Sequence, residues 1–453
     1  MKNDLIQSSP LKAIFFFSLP IYLGQLLSLG YSLCDTLIVS HVLGGNALAA
    51  VSATTALSDL LLEFLGGIIA GFGVIIARFF GANDRQQMHR AIGTSVVLGL
   101  GITLLISMGC LLFLPQLLDL LHIDASLRND SATYISFIIA GLIASSCYQL
   151  CATLCRSVGD SFTPLLFLII SNLSNIFLDI VIVGFLGFGI AGAALATVFT
   201  QGVSALLCFL YMRRKHPLLK IAPNTLRPTV KICKELLPSG LSMGFMLSFV
   251  LLGSLALQST INALGAEIIV AHTGARKLTL LFLIPFFALG TALATYCSQN
   301  MGAHRPARIR SGLRSTLLLC AFWCIFALLL ILLFAPAILR FITATDKALV
   351  IDNATRYLYI NAPFFFLPAL ICLLRNSMQG LGDTRTPLIS SVIELVGKVL
   401  IALFLVPVIG YMGVIVSEPI VWCLMVIPLL IRLLRDPIFR HRSEASHSDI
   451  DQL

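Results

Sequence analysis

Twelve apolar stretches, each long enough to cross a hydrocarbon core of about 30 Å, constrain this chain more than any other feature. They lie near residues 14–40, 47–77, 91–115, 131–155, 162–186, 190–212, 236–262, 267–298, 313–335, 355–378, 386–408 and 412–434. Composition agrees. Apolar residues make up 58% and charged residues only 11%, with a mean hydropathy of +0.97, outside the balance of a soluble globular chain. The expected fold is an all-α membrane protein. The second and eighth stretches exceed one span and predict a tilt or a break, for which Gly66-Gly67, Gly71 and Gly73 offer a place in the second.

The pattern is written twice. Residues 159–164 read GDSFTP and residues 382–387 read GDTRTP, 223 positions apart. Pro115 matches Pro336, Gly81-Ala82 matches Gly302-Ala303, Tyr134 matches Tyr357 and Gly187 matches Gly410, at offsets of 221 to 223. This predicts two pseudo-symmetric six-helix bundles, the plan by which many secondary transporters frame a central cavity. The expected divisions are an N-terminal lobe (1–215), a basic, proline-bearing cytoplasmic linker (216–235), a C-terminal lobe (236–435) and a polar tail (436–453). In the repeated turns Asp160 and Asp383 are placed to cap the helices that follow, with Pro164 and Pro387 in the first turns.

A net charge of +9 could suggest nucleic acid, but its distribution says otherwise. Of the 30 Lys and Arg, 23 fall at the termini or in loops on the termini's side, four on the opposite side and three inside spans. By the positive-inside rule this predicts a multi-pass protein of the cytoplasmic membrane with both termini in the cytoplasm. No nucleic-acid partner is expected, and a monomer is the expectation. The polar segment ahead of the first apolar run, and the length of that run, argue against a cleavable signal peptide. Cys147, Cys151 and Cys155 share a helix face, but no His or further Cys accompanies them in sequence. Helix packing accounts for them better than a soft-metal site, and no cofactor is expected.

An ionisable group in a membrane helix is expensive, so each is a functional candidate. Gln25, Ser28, Ser32 and Asp35 form one stripe on the first helix. Asn175 and Asp179 sit one turn apart on the fifth, and Thr197, Thr200, Gln201 and Ser204 line the sixth. Interhelical hydrogen bonding would explain the neutral groups, but not two aspartates. Should Asp35 and Asp179 converge, both cannot ionise cheaply, and the pair would hold a proton or a cation. Asn175 and Thr197 would add neutral oxygens suited to Na⁺. These residues leave sodium and proton equally open.

The stretch SLPIYLGQLLSLGYSLCDTLIVSHVLGGNALAAVSATTA, the run NLSNIFLDIVIVGFLGFGIAGAALATVFTQ at 172–201, LQSTINALGAEIIVAHTGARK at 257–277 and CSQNMGAHRPARIRSG at 297–312 resemble the multidrug and toxic compound extrusion (MATE) family. The resemblance covers about residues 10–435 and is closest to the DinF-like and MepA-like prokaryotic branches. It implies a V-shaped pair of bundles around a central cavity and ion-coupled antiport of small organic cations, driven by Na⁺ or H⁺. It also implies a cation site at Asp35, Asn175, Asp179 and Thr197. The NorM-like branch carries acidic ligands in its C-terminal lobe, and here the seventh helix has only Ser254, Gln258 and Asn262.

Other polar groups are candidate cavity residues: Gln25, Ser32, Gln201, Gln258, Asn262 and Arg276, with Lys277 beside it. Asp59 and Glu63, one turn apart in the second helix, either line the cavity for cationic cargo, pair with Arg276 or Lys277, or face water without a role. Glu394 and Lys398, one turn apart on the eleventh helix, are expected to form a structural ion pair, and Glu418 is a weaker cavity candidate. Export or flipping of a lipid-linked or other amphipathic metabolite is the alternative function, though Asp35, Asp59 and Glu63 favour cationic cargo. An enzyme is not expected, because no HExxH, GxSxG or paired-Asp protease pattern lies in the spans.

Overall fold

The computed structural model describes residues 5–221 and 225–440. The tail expected beyond residue 440 and positions 222–224 of the connector lie outside the described residues. Helices run through α1 (Pro10–Leu43), α2 (Gly45–Gly81), α3 (Arg85–Leu112), α4 (Leu114–Leu120), α5 (Arg128–Ser157), α6 (Phe162–Asp179), α7 (Gly189–Lys215) and α8 (Val230–Asn262). They continue through α9 (Ala266–Gly302), α10 (Pro306–Thr343), α11 (Ala348–Asn361), α12 (Phe366–Leu381), α13 (Arg385–Leu400), α14 (Val406–Ile409), α15 (Tyr411–Arg435) and α16 (Pro437–Arg440). No strand occurs among the described residues.

Eleven spans are each long and apolar enough to cross a membrane. A twelfth is a bent pair: α11 with its 3₁₀ extension meets α12 at 52°. Pro363 and Pro368 flank that break and remove two backbone donors, so the tenth span, expected as one run near 355–378, starts earlier and kinks.

The chain divides into two compact units, one comprising 16–248 and the other 5–15 together with 249 onward. The division falls inside α8. The described part of the connector packs with the first unit instead of hanging free. Leu219, Ile232 and Leu236 enter its apolar core, His89 meets the Leu218 carbonyl at 2.9 Å, and Arg78 pairs with Glu235.

In the first unit α5 is the central element, packed by α2, α3 and α7. The glycines of α2 correct an expectation, since α2 runs unbroken for 37 residues. A Cβ at Gly67 would lie 2.7 Å from the Met243 carbonyl oxygen, one at Gly71 would lie 2.4 Å from the Ser239 carbonyl oxygen, and one at Gly73 would strike Thr153. Gly67 and Gly71 let α8 approach α2 backbone to backbone, and Gly73 makes room for the Thr153 side chain of α5. In the second unit α9 is the most buried helix, with Tyr296 and Phe286 fully enclosed, and α13 packs on α15. Residues 5–15 dock here, with Asn300 holding the Leu5 carbonyl at 3.1 Å and Arg305 holding that of Ile6 at 2.9 Å.

Both units keep the repeated turn. Asp160 accepts from the Thr163 N–H at 3.0 Å and Asp383 from the Thr386 N–H at 3.1 Å, each also accepting a hydrogen bond from that threonine's hydroxyl. Each following helix then passes into a π-helix, Ile180–Phe185 after α6 and Ile401–Leu405 after α13. π-Helical turns are rare and concentrate at functional sites. Here each one directly follows the polar face of its helix.

Candidate functional site

In the first unit α6 presents Asn175 and Asp179, one turn apart and almost fully buried, at 2% and 1% exposure. Asp179 is the last α-helical residue before the π-segment. The Asn175 amide is best satisfied with its nitrogen donating to Asp179 Oδ2 at 2.8 Å and facing Tyr31 Oη at 2.6 Å. Its oxygen then accepts from the Thr197 N–H at 3.1 Å. The half-buried Asp35 of α1 comes within hydrogen-bonding reach of Asp179, so the two carboxyls meet. No Lys, Arg or His pairs with either among the described residues, and no protein donor reaches Asp179 Oδ1.

All four residues of the expected cation site are thus drawn into one pocket. Two tyrosines were not anticipated. Tyr31 touches Asn175, and Tyr134 of α5 packs against the apolar cluster of Val39, Ala50 and Val183 nearby. The sequence held a signal for Tyr31, which lies one turn before Asp35. The stripe drawn through Ser32 misplaced the polar face by one residue. Ser32 is exposed, while Gln25 is half-buried with Oε1 lacking a protein donor.

The other candidates separate. Gln201 is bonded by the Ser145 hydroxyl and ties α7 to α5. Asp59 and Glu63 are exposed and form no ion pair among the described residues. Arg276, considered as a partner for them, is engaged by Glu418 at 3.2 Å within the second unit. Cys151 and Cys155 are buried in the first unit's core with Cys208 of α7. No group of three or more His, Cys, Asp or Glu among the described residues is arranged to hold a metal.

In the second unit the expected Glu394–Lys398 pair exists, at 3.1 Å, but it is the centre of a longer chain of charges. Glu394 also meets Arg375 at 3.4 Å, and Lys398 also meets Glu418 at 3.5 Å, which leads on to Arg276. Glu394, Lys398, Glu418 and Arg375 are all buried. Beside this chain lies a cavity of about 210 Å³, lined in part by Ser254, Gln258, His272, Arg276, Lys277 and Glu418. Asn262, expected at a cavity wall, instead accepts from Gln258 Nε2 at 2.9 Å.

Outside the spans, the cap of the first unit is charged as well as geometric. Asp160 meets His216 at 2.7 Å and Lys215 at 2.9 Å. Burial pushes its carboxyl up, but hydrogen bonds from His216, Thr163 and Lys215 outweigh burial and hold it well below the usual carboxylate range. Asp383, bonded by Arg432 at 2.8 Å, is lowered in the same way.

Known proteins agree with this architecture. A family profile described as MatE matches residues 20–181 and again 243–405, once in each half of the repeat. The probable multidrug resistance protein YpnP of Bacillus subtilis is 27% identical over 68% of both chains. The multidrug export protein MepA of Staphylococcus saprophyticus is 21% identical over 97% of both. The solved outward-facing structure of a multidrug resistance MATE family transporter of the MOP superfamily superposes with a TM-score of 0.85 at 22% identity, covering 95% of this chain and 97% of that one. A profile that fits both halves, on eleven helices and a bent pair long and apolar enough to cross a membrane, makes this chain a member of the MatE family of multi-pass membrane transporters.

Proposed function

We propose that the protein is an ion-coupled antiporter that exports organic cations across the cytoplasmic membrane, with Na⁺ or H⁺ as the coupling ion and both termini cytoplasmic. The observation that carries this reading is a pair of aspartates in mutual reach without a basic partner, one of them keeping an oxygen that no protein donor satisfies. Two such carboxyls in a poorly hydrated pocket require a proton or a metal cation. Asp35 and Asp179 would carry the charge, and Asn175 and Thr197 would complete the oxygen set. Ion entry removes the repulsion between the two carboxyls and steadies α1 against α6. Cargo and ion then weaken each other's binding by equal factors, as linkage demands. Lobe boundaries at 215 and 236, with a cytoplasmic connector between, belong to the same reading.

One inward charge at 100 mV is worth about 2.3 kcal/mol, and exporting a monovalent cation costs the same. A one-for-one exchange would therefore draw only on the ion's chemical gradient. Reconstituted vesicles loaded with ethidium, given an imposed Na⁺ or H⁺ gradient, test the proposal. Asp35→Asn should reduce gradient-driven export to the rate of empty vesicles. Export at the parent rate would remove Asp35 from coupling.

A further inference from the structure

The second unit's cavity has no part in the exchange described above. Its polar wall is cationic, and the reason lies in a count. Four basic side chains, Arg276, Lys277, Lys398 and Arg375, gather in and behind the wall, against two carboxylates, Glu394 and Glu418. Each carboxylate is already shared. Glu418 meets Arg276 and Lys398, and Glu394 meets Lys398 and Arg375. Two positive charges remain without a counter-charge, and Glu418 is the only acid among the lining residues.

The surplus faces the cavity. Arg276 keeps 27% of its side chain exposed, and Lys277 is exposed with no ion pair among the described residues. His272 holds Tyr411 Oη through Nδ1 at 3.4 Å, which leaves Nε2 for another partner. Aliphatic side chains supply much of the remaining lining. An uncompensated charge in such surroundings is costly, and a guanidinium beside an ammonium matches a carboxylate or phosphate.

We propose that this cavity binds the anionic group, carboxylate or phosphate, of a small organic solute, with Arg276 and Lys277 as its charge partners. A volume of about 210 Å³ admits a group the size of a benzoate ring. This deepens the transport reading and rests on it for the fate of the solute, since the organic cation exported would then carry an acid group beside its cationic part. Binding itself is independent of coupling.

The test is calorimetric titration of the purified full-length chain in detergent with benzoate, phenyl phosphate and benzamidinium. Benzoate or phenyl phosphate should bind, and the stronger of the two identifies the preferred acid, while any binding of benzamidinium, an organic cation, should be insensitive to Lys277→Gln. Lys277→Gln, at an exposed position, and Arg276→Gln should each weaken the anion at least about tenfold. Asp35→Asn should leave anion affinity unchanged while stopping ion-driven export, so the two readings fail separately. Absence of anion binding, equal anion affinity in Lys277→Gln, or benzamidinium binding weakened by that substitution as much as benzoate binding would each overturn the proposal.

Discussion

The two halves place opposite chemistry at corresponding positions of one scaffold. Asp35 in the first unit and Gly253 in the second stand equally far beyond the helix prolines Pro20 of α1 and Pro238 of α8. Asn175 and Asp179 follow the capping Asp160 at the same intervals at which Lys398 and Ala402 follow Asp383. Two carboxylates have thus become a glycine and an alanine, while an amide has become an ammonium.

Packing shows why these differences go together. A Cβ at Gly253 would sit 3.2 Å from Lys398 Cδ, so the missing side chain makes room for the lysine. Lys398 Nζ reaches Glu394, Glu418 and Ser254 at 3.1 to 3.5 Å. The second unit carries its cation covalently. The first leaves two carboxyls to be satisfied by something that can leave. One scaffold therefore yields a fixed charge array and an open one, and it is to the open one that the proposed function assigns coupling.

That contrast can be broken most severely at Lys398. Lys398→Asn restores the first unit's residue but strands Glu394 and Glu418 with one basic partner each. A loss of about 3–5 kcal/mol is expected, read as a lower thermal midpoint in detergent. The double variant Lys398→Asn/Glu394→Gln should recover part of the loss, and no recovery would mean the array is not the cause.

The converse exchange, Asn175→Lys, puts a tethered ammonium beside Asp35 and Asp179. The expected outcome is a folded protein whose ion-driven export falls about 100-fold, within the range of coupling energies. Stabilisation by added Na⁺, if the parent shows it, should vanish in the same variant. Retained ion response would show that the pocket accepts a lysine without losing its ion.

The smallest effect concerns the shared turns. Asp160→Asn should cost about 1–2 kcal/mol at pH 7 and Asp383→Asn about 1 kcal/mol, since Asp160 meets two basic side chains and Asp383 only Arg432. Both carboxyls are held below their usual range in the fold. Their stabilisation is therefore present above about pH 4 and lost as the pH falls through the lowered values. Thermal midpoints of parent and variant should converge on acidification. A constant gap would assign the effect to shape instead of charge.

Much of this was legible in the chain. Length and hydropathy set the helices, and spacing set the repeat. The expense of burying aspartate singled out Asp35 and Asp179, because those properties are local or periodic. Other features were not. The α2 glycines read as a break because sequence does not show that α8 lies against them. Tyr31 was not legible because helical periodicity does not separate adjacent positions 31 and 32, and only packing puts Tyr31 against Asn175. The Glu394–Lys398 pair was visible through its i,i+4 spacing, while its links to Arg375 of α12 and Glu418 of α15 cross between separate helices.

What the sequence determined by itself was a twice-written set of membrane helices with acids in the first copy and a lysine in the second, because bilayer thickness and burial cost act on each segment separately. Only the tertiary structure decided which charges meet. Pairing depends on distances of a few ångströms between helices remote in sequence. Those distances made one copy an open acid pair and the other a closed chain of alternating charge.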